Sequence, residues 1–260
     1  MNQFIKNGSY TYLKTWFDDF VISFEKQYPQ FLSKFNLKRV HSQNVADEIT
    51  TIAEAIGLES EDTALARIIG LLHDIGRFPQ FAGHTTFDDW ISVDHGALGV
   101  NILHDYNLLA LLDFADQKVV EAAILHHNKV RLADLGGKRR RLYAQLIRDA
   151  DKLDIFRLAI DTYNASRVAE ISCLPRGEDI SIKVLADLTH KENVRYEHIK
   201  NQIDWIFLRI GWLFDINFNP TLKLIMDRGY YKMLRAMLPK TNNIMKALNI
   251  VDSYLESDLP

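Results

Sequence analysis

The sequence predicts an all-α protein, a helical bundle with a C-terminal helical extension. Three observations carry this expectation. Apolar residues recur at spacings of three and four along most of the chain, and strict apolar/polar alternation is hard to find. Prolines and glycines punctuate the periodic stretches at their ends. The 260 residues are 47% hydrophobic, enough to bury a large core.

The elements follow in order. A first helix is predicted over 10–28, with Trp16, Phe17, Phe20, Val21 and Phe24 on one face. It stops before Pro29, because a residue preceding proline avoids the α region. A second helix over 38–56 turns Val45, Ile49, Ile52, Ala53 and Ile56 inward and ends at Gly57. It places His41 in its first turn. A third helix over 61–74 ends at Gly76, so His73-Asp74 sits at a helix C-terminus. Residues 78–93 read as the longest irregular stretch. Long loops in compact domains are often functional, and this one is expected to border a substrate pocket. Asp94 is suited to cap a helix starting at His95. Gly96, Ala97 and Gly99 would let that helix approach a neighbour closely. Residues 116–127 form a helix ending in His126-His127. Gly136-Gly137-Lys138 then breaks the chain before a long helix of about 30 residues from Arg139. Beyond Pro175-Arg176-Gly177 the chain is helical again, with breaks near Asn219-Pro220 and at Pro239. No repeat and no convincing linker appears. One domain over 1–260 is therefore expected, with a core at about 38–160 and the extension at about 177–260.

Composition narrows the function classes. The formal charge of -3 supplies no basic field for nucleic acid. The run Lys138-Arg139-Arg140-Arg141 is short enough to read as a solvated helix face. A single cysteine, Cys173, excludes an internal disulfide, suits a reducing cytosol and reads as inert packing. The start shows no apolar core after a basic end, so a signal peptide is not expected. Trp205 to Phe218 is the most apolar stretch, but it carries Arg209 and Asp215 and is too short to span a bilayer. It reads as a buried or half-buried helix, with Trp205, Leu208 and Trp212 as core. A cytoplasmic protein without membrane attachment is expected; its oligomeric state is open.

The chemistry lies in an ordered set of residues. His41 comes first, then His73-Asp74 within Leu71-Leu72-His73-Asp74-Ile75-Gly76-Arg77. Asp94-His95-Gly96-Ala97-Leu98-Gly99 follows, then His126-His127-Asn128, then Asp149-Ala150-Asp151-Lys152-Leu153-Asp154. A lone histidine is more often a polar surface or core residue than a ligand. Imidazoles and carboxylates together suit divalent Mn, Fe, Co, Ni or Zn. Two such ions about 3.5–4 Å apart can clamp an attacking oxygen and a phosphoryl oxygen.

This order resembles the HD-domain superfamily of metal-dependent phosphohydrolases, over roughly residues 38–160. The resemblance implies that His41, His73, Asp74 and Asp151 hold one metal. Asp74 would bridge to a second ion that also takes His95 and His126. His127 would join that ion, bind a third, or touch substrate. The implied reaction is attack by a metal-bound hydroxide on a small phosphoester, a nucleotide among the candidates. Asp74, Arg77 and Lys152 are the expected catalytic groups. Arg77, His84 and Arg148 are the expected substrate contacts, although Arg77 equally suits a salt bridge and His84 a surface position. Asp149 and Asp154 are expected to orient ligand histidines. The chain departs from the cyclic-dinucleotide phosphodiesterases of the superfamily. It has Arg77 where they carry Lys, and Asn128-Lys129-Val130 where they carry Gly-Tyr-Pro. Two alternatives stay open: a di-iron oxygenase of the same superfamily, and a non-enzymatic nucleotide sensor.

Overall fold

The structure is a computed structural model that describes residues 2–164 and 174–258. Among these residues it is all-α, with no β-strand. Cys173 lies outside the described residues. The chain divides into two compact units, Met1–Asp154 and Ile155–Pro260.

The first unit opens with α1 (Asn2–Gln27), a 3-10 turn at Pro29–Phe31 and α2 (Leu32–Ala55). Both helices begin earlier than their apolar stripes suggest. His41 therefore lies in the third turn of α2, not the first. The 3-10 turn at Pro29 lets the chain re-enter a helix at Leu32, ahead of the first strongly periodic residues. The end of α2 is as expected: Gly57 has φ +79° and accommodates the left-handed turn.

α3 (Ser60–Leu72) packs against α2 and α1. A methyl on Gly70 would lie 2.7 Å from Ala46 Cα, so the α2–α3 approach requires glycine there. His73 keeps helical angles just past α3, and two tight turns follow, Leu72 to Ile75 and Asp74 to Arg77.

The stretch 78–93 is not irregular throughout. Its first part is α4 (Arg77–His84). Pro79 stands in its first turn, where its missing N–H has no helical partner to lose. Phe78 anchors this helix. Its ring meets Phe17, Phe20, Phe24 and Phe35 of α1 and α2 at centroid distances of 5.9, 6.2, 6.3 and 6.1 Å. Only 85–94 is non-helical.

α5 (His95–Asp105) is capped as expected: Asp94 Oδ1 accepts from the backbone N–H of Gly96 (3.0 Å) and Ala97 (3.3 Å). α6 (Phe114–His126) packs on α5. An added methyl at Gly96 would stand 2.9 Å from the Ile124 carbonyl, which explains the small residues on this face. α7 (Lys138–Asn164) follows and contributes its residues up to Asp154 to this unit. Its basic start is tied into the fold. Arg139 pairs with Asp62 at 2.9 Å and with buried Asp116 at 2.6 Å.

The second unit contains α8 (Ile182–Thr189), α9 (Gln202–Gly211), α10 (Asn219–Asp227), α11 (Tyr230–Ala236) and α12 (Asn242–Asp258). Trp205 and Leu208 are buried, as expected. The helix predicted there stops at Gly211 and tightens into a 3-10 turn, Trp212–Asp215. The Arg209 guanidinium lies between the Trp205 and Trp212 rings, 4.8 and 4.3 Å from their centroids. Asn219-Pro220 begins α10 with proline in the first turn, and Pro239 follows the end of α11. Among the described residues no helix is long and apolar enough to cross a membrane.

Candidate metal centre

Five segments of the first unit bring His41, His73, Asp74, His95, His127 and Asp151 together. The four imidazoles and Asp74 are buried, whereas the Asp151 side chain keeps 21% of its surface exposed. The centre thus has a floor of fixed rings and one side reachable from solvent.

Each ring is oriented through Nδ1. His41 Nδ1 donates to Asp154 Oδ2 at 2.7 Å, and His95 Nδ1 to the Asp89 carboxylate at 2.7 Å. His73 Nδ1 donates to the Gly70 carbonyl at 2.8 Å, and His127 Nδ1 to the Ile124 carbonyl at 2.7 Å. These partners can only accept, so the proton belongs on Nδ1 in all four rings. Each Nε2 then presents a lone pair to the centre.

Asp74 divides the cluster. Its Oδ2 faces His41 Nε2 and His73 Nε2, at 3.6 Å from each. Its Oδ1 faces His95 Nε2 at 3.2 Å and His127 Nε2 at 3.7 Å. Asp151 Oδ1 completes the first set, 3.0 Å from His41 Nε2 and 3.8 Å from His73 Nε2. His95 Nε2 and His127 Nε2 are 2.9 Å apart.

The donor set fits a divalent metal. His41 Nε2 and His73 Nε2 are buried without a hydrogen-bond partner, and an orphaned buried lone pair is costly. Imidazole nitrogens bind a Zn-like ion at about 2.0–2.1 Å. Two of them 2.9 Å apart can therefore sit as neighbours on one ion. The electrostatics agree. Burial pushes His73 down to about 3, which keeps it neutral and able to ligate. Burial opposes the charge of Asp74, but Lys38 and the neighbouring rings outweigh it and hold the carboxyl well below its usual range. Desolvation likewise opposes the charge of Asp151, and His41 and His73 outweigh it and lower its carboxyl. Burial and Lys38 pull His41 down, yet the carboxylates of Asp151 and Asp154 prevail and raise it.

The remaining expected residues are distributed as follows. His126 is half-buried and is not among the residues brought together; His127 is. Adjacent helical residues point about 100° apart, and at the end of α6 it is His127 that turns inward. Arg77 is largely occupied. Its Nη1 donates to Asp89 Oδ1 (2.9 Å), to Gln80 Oε1 (2.7 Å) and to the Phe87 carbonyl, while its Nε lies 3.4 Å from Asp74 Oδ1. Arg148 is buried and donates to the His127 carbonyl at 3.3 Å and to that of Lys129, holding the chain that follows α6. Lys152 and Asp149 are buried on α7. His84 is exposed at the end of α4, outside these clusters. Asp154 orients His41, as expected for an acceptor behind a ligand.

Two contacts escaped the sequence reading. Lys38 Nζ donates to Asp74 Oδ2 at 2.7 Å and lies 5.3 Å from the Phe87 ring centroid. It precedes His41 by three residues on α2, a spacing that puts both on one helix face. Asp89 takes the Nδ1 proton of His95 from within the 85–94 segment.

Residues 40–155 match the family model described as HD domain. No curated protein and no solved structure matches the chain.

Proposed function

From the premise that residues 40–155 form an HD domain, we propose that this protein is a metal-dependent phosphohydrolase acting on a small phosphoester, with a nucleotide as the leading substrate class. One observation carries the reading. The two oxygens of Asp74 face different ligand sets, His41 with His73 on one side and His95 with His127 on the other. A carboxylate so placed can serve two ions, one per oxygen. The first ion would take His41, His73, Asp74 and Asp151, and the second Asp74, His95 and His127. When bound, such ions acidify water and neutralise charge on phosphoryl oxygens.

The chain's own residues supply the rest. The buried rings exclude bulk water from the floor and present fixed lone pairs. Lys38 places an ammonium beside Asp74, where it can contact an anionic substrate oxygen. Arg77 adds a second positive charge at the same carboxylate and stays braced by Asp89 and Gln80. Phe87 packs on Phe81 at 4.6 Å between ring centroids and faces Lys38 and Arg77, giving the rim an apolar wall. A site with apolar walls and a few fixed polar groups suits a small ligand.

The test is an assay of metal-replete protein over phosphomonoesters, nucleotides and cyclic nucleotides, run in air and under strict anaerobiosis. Phosphate release that persists without oxygen supports the hydrolase. Turnover that requires oxygen and iron would instead favour an oxygenase, since the same donors suit iron.

A further inference from the structure

Asp89 lies outside the ligand set yet is one of the most heavily contacted carboxylates near it. Its Oδ1 and Oδ2 stand 2.8 and 2.7 Å from His95 Nδ1. Oδ1 also accepts from Arg77 Nη1 at 2.9 Å and from Gln80 Nε2 at 2.8 Å, and Oδ2 from Asn128 Nδ2 at 2.8 Å. The donors come from α4, from α5 and from the turn after α6. Gln80 is fully buried and its amide also donates to Ser92 Oγ and to the Val93 carbonyl, both at 2.9 Å. The segment that bears Asp89 is therefore fastened on both sides of it.

The need for that fastening follows from the geometry of His95. It is the first residue of α5, and its Nε2 is 2.9 Å from His127 Nε2. His127 is already committed, because its Nδ1 proton goes to the Ile124 carbonyl. If His95 carried its proton on Nε2, that proton would fall between the two rings and make a good hydrogen bond. The position offered to a cation would then be closed from within. With the proton on Nδ1, both Nε2 atoms present lone pairs and only a cation satisfies them together.

We propose that Asp89 is a positioning residue that keeps the His95 proton on Nδ1, and so holds the His95–His127–Asp74 position open for a divalent ion. The proposal rests on the two-ion reading above for its consequence, but the protonation pattern of His95 can be read without any metal. An outer carboxylate behind a metal-binding imidazole typically changes affinity about 10–100-fold.

The experiment is imidazole nitrogen NMR on metal-free, histidine-labelled protein, followed by Mn²⁺ binding at equilibrium. Wild type should show His95 protonated on Nδ1. Asp89→Ala should move that proton to Nε2 and weaken the second ion about 10–100-fold, leaving the first unchanged. Asp89→Asn, which keeps the side chain's shape, should shift the same way and serves if the alanine variant fails to fold. A role limited to tying down the segment would lower Tm and leave the His95 proton on Nδ1. That result, or a second-ion affinity equal to wild type, overturns the proposal. Should wild type bind a single ion, the two-ion reading fails, and the His95 spectrum still decides the role of Asp89.

Discussion

His95 Nε2 and His127 Nε2 stand 2.9 Å apart with their Nδ1 protons committed elsewhere. Two lone pairs at hydrogen-bond distance, with no proton between them, repel unless a positive charge faces both. Asp74 Oδ1, 3.2 Å from His95 Nε2, adds a third electron-rich atom to the same space. This half of the centre is built for a cation, and the consequences can be measured.

Asp74→Ala should abolish binding of both ions and reduce phosphatase activity to background. Among the described residues Asp74 is the carboxylate grouped both with His41 and His73 and with His95 and His127. Elemental analysis of the purified variant beside wild type checks this. Retention of either ion at wild-type affinity would contradict the bridging role.

Asp154→Ala should weaken the first ion about 10–100-fold while sparing the second. Asp154 takes the Nδ1 proton of His41 at 2.7 Å and the amide of Asn44 at 3.1 Å, and neither contact reaches His95 or His127. Calorimetric Mn²⁺ titration resolves the two affinities. Equal weakening of both ions would show that the halves are not separable.

Lys38→Met should raise KM for the active phosphoester about tenfold or more, the worth of one hydrogen bond to a charged group. It should leave two ions bound. In the metal-free protein Lys38 competes for Asp74 Oδ2, so removing it should not loosen metal. Steady-state kinetics with inorganic phosphate as competitor test this, and an unchanged KM would remove Lys38 from the substrate site.

The main features of the first unit were legible in the sequence for identifiable reasons. Periodic apolar stripes gave α1, α2 and α3, and Asp94 before His95 announced a capped helix that the structure contains. What failed did so locally. Pro79 hid α4, because proline in a first turn and proline in a loop look alike in sequence. His41 moved from the first to the third turn of α2, because the 3-10 turn at Pro29–Phe31 restarts the helix early. Within the candidate centre, the order of motifs pointed to His41, His73, Asp74, His95 and Asp151 as a set. It put His126 on the second ion and left the role of His127 open, whereas His127 is the one that turns inward, since the choice depends on the rotation of the last turn of α6. Asp89 was invisible, because its role depends on how 85–94 folds back across α5. Lys38 was within reach, one helical turn before His41.

Asp94→Ala should destabilise the protein by about 1 kcal/mol, the ordinary worth of a helix N-cap. The effect depends on pH. Asp94 is partly desolvated, which alone would raise its pKa, but Lys129, Asn128 and the Ala97 N–H hold it below the usual carboxylate value. A carboxylate lowered by folding contributes stability above its unfolded pKa and loses it as pH falls through the folded one. Denaturant melts should therefore separate wild type from variant at neutral pH and bring them together in strong acid. A gap that widens on acidification would contradict this.

Gly76→Ala should cost about 1–3 kcal/mol, the usual penalty for overpacking. A methyl there would meet the His95 carbonyl oxygen at 2.2 Å and the Gly99 nitrogen at 2.9 Å, so α5 must shift. Because α5 starts with His95, loss of Tm should come with weaker binding of the second ion. A variant that melts like wild type would show that α5 is less tightly seated than the geometry states.

The most direct test of the two-ion centre is a titration of metal-free protein with Mn²⁺, followed in parallel by bound metal and by phosphatase rate. Two ions should bind per chain, the second more weakly because it shares the Asp74 carboxylate and gains only neutral imidazoles. Activity should rise with the second, and His95→Ala and His127→Ala should each remove that rise. Activity that saturates at one ion per chain and survives both substitutions would contradict it.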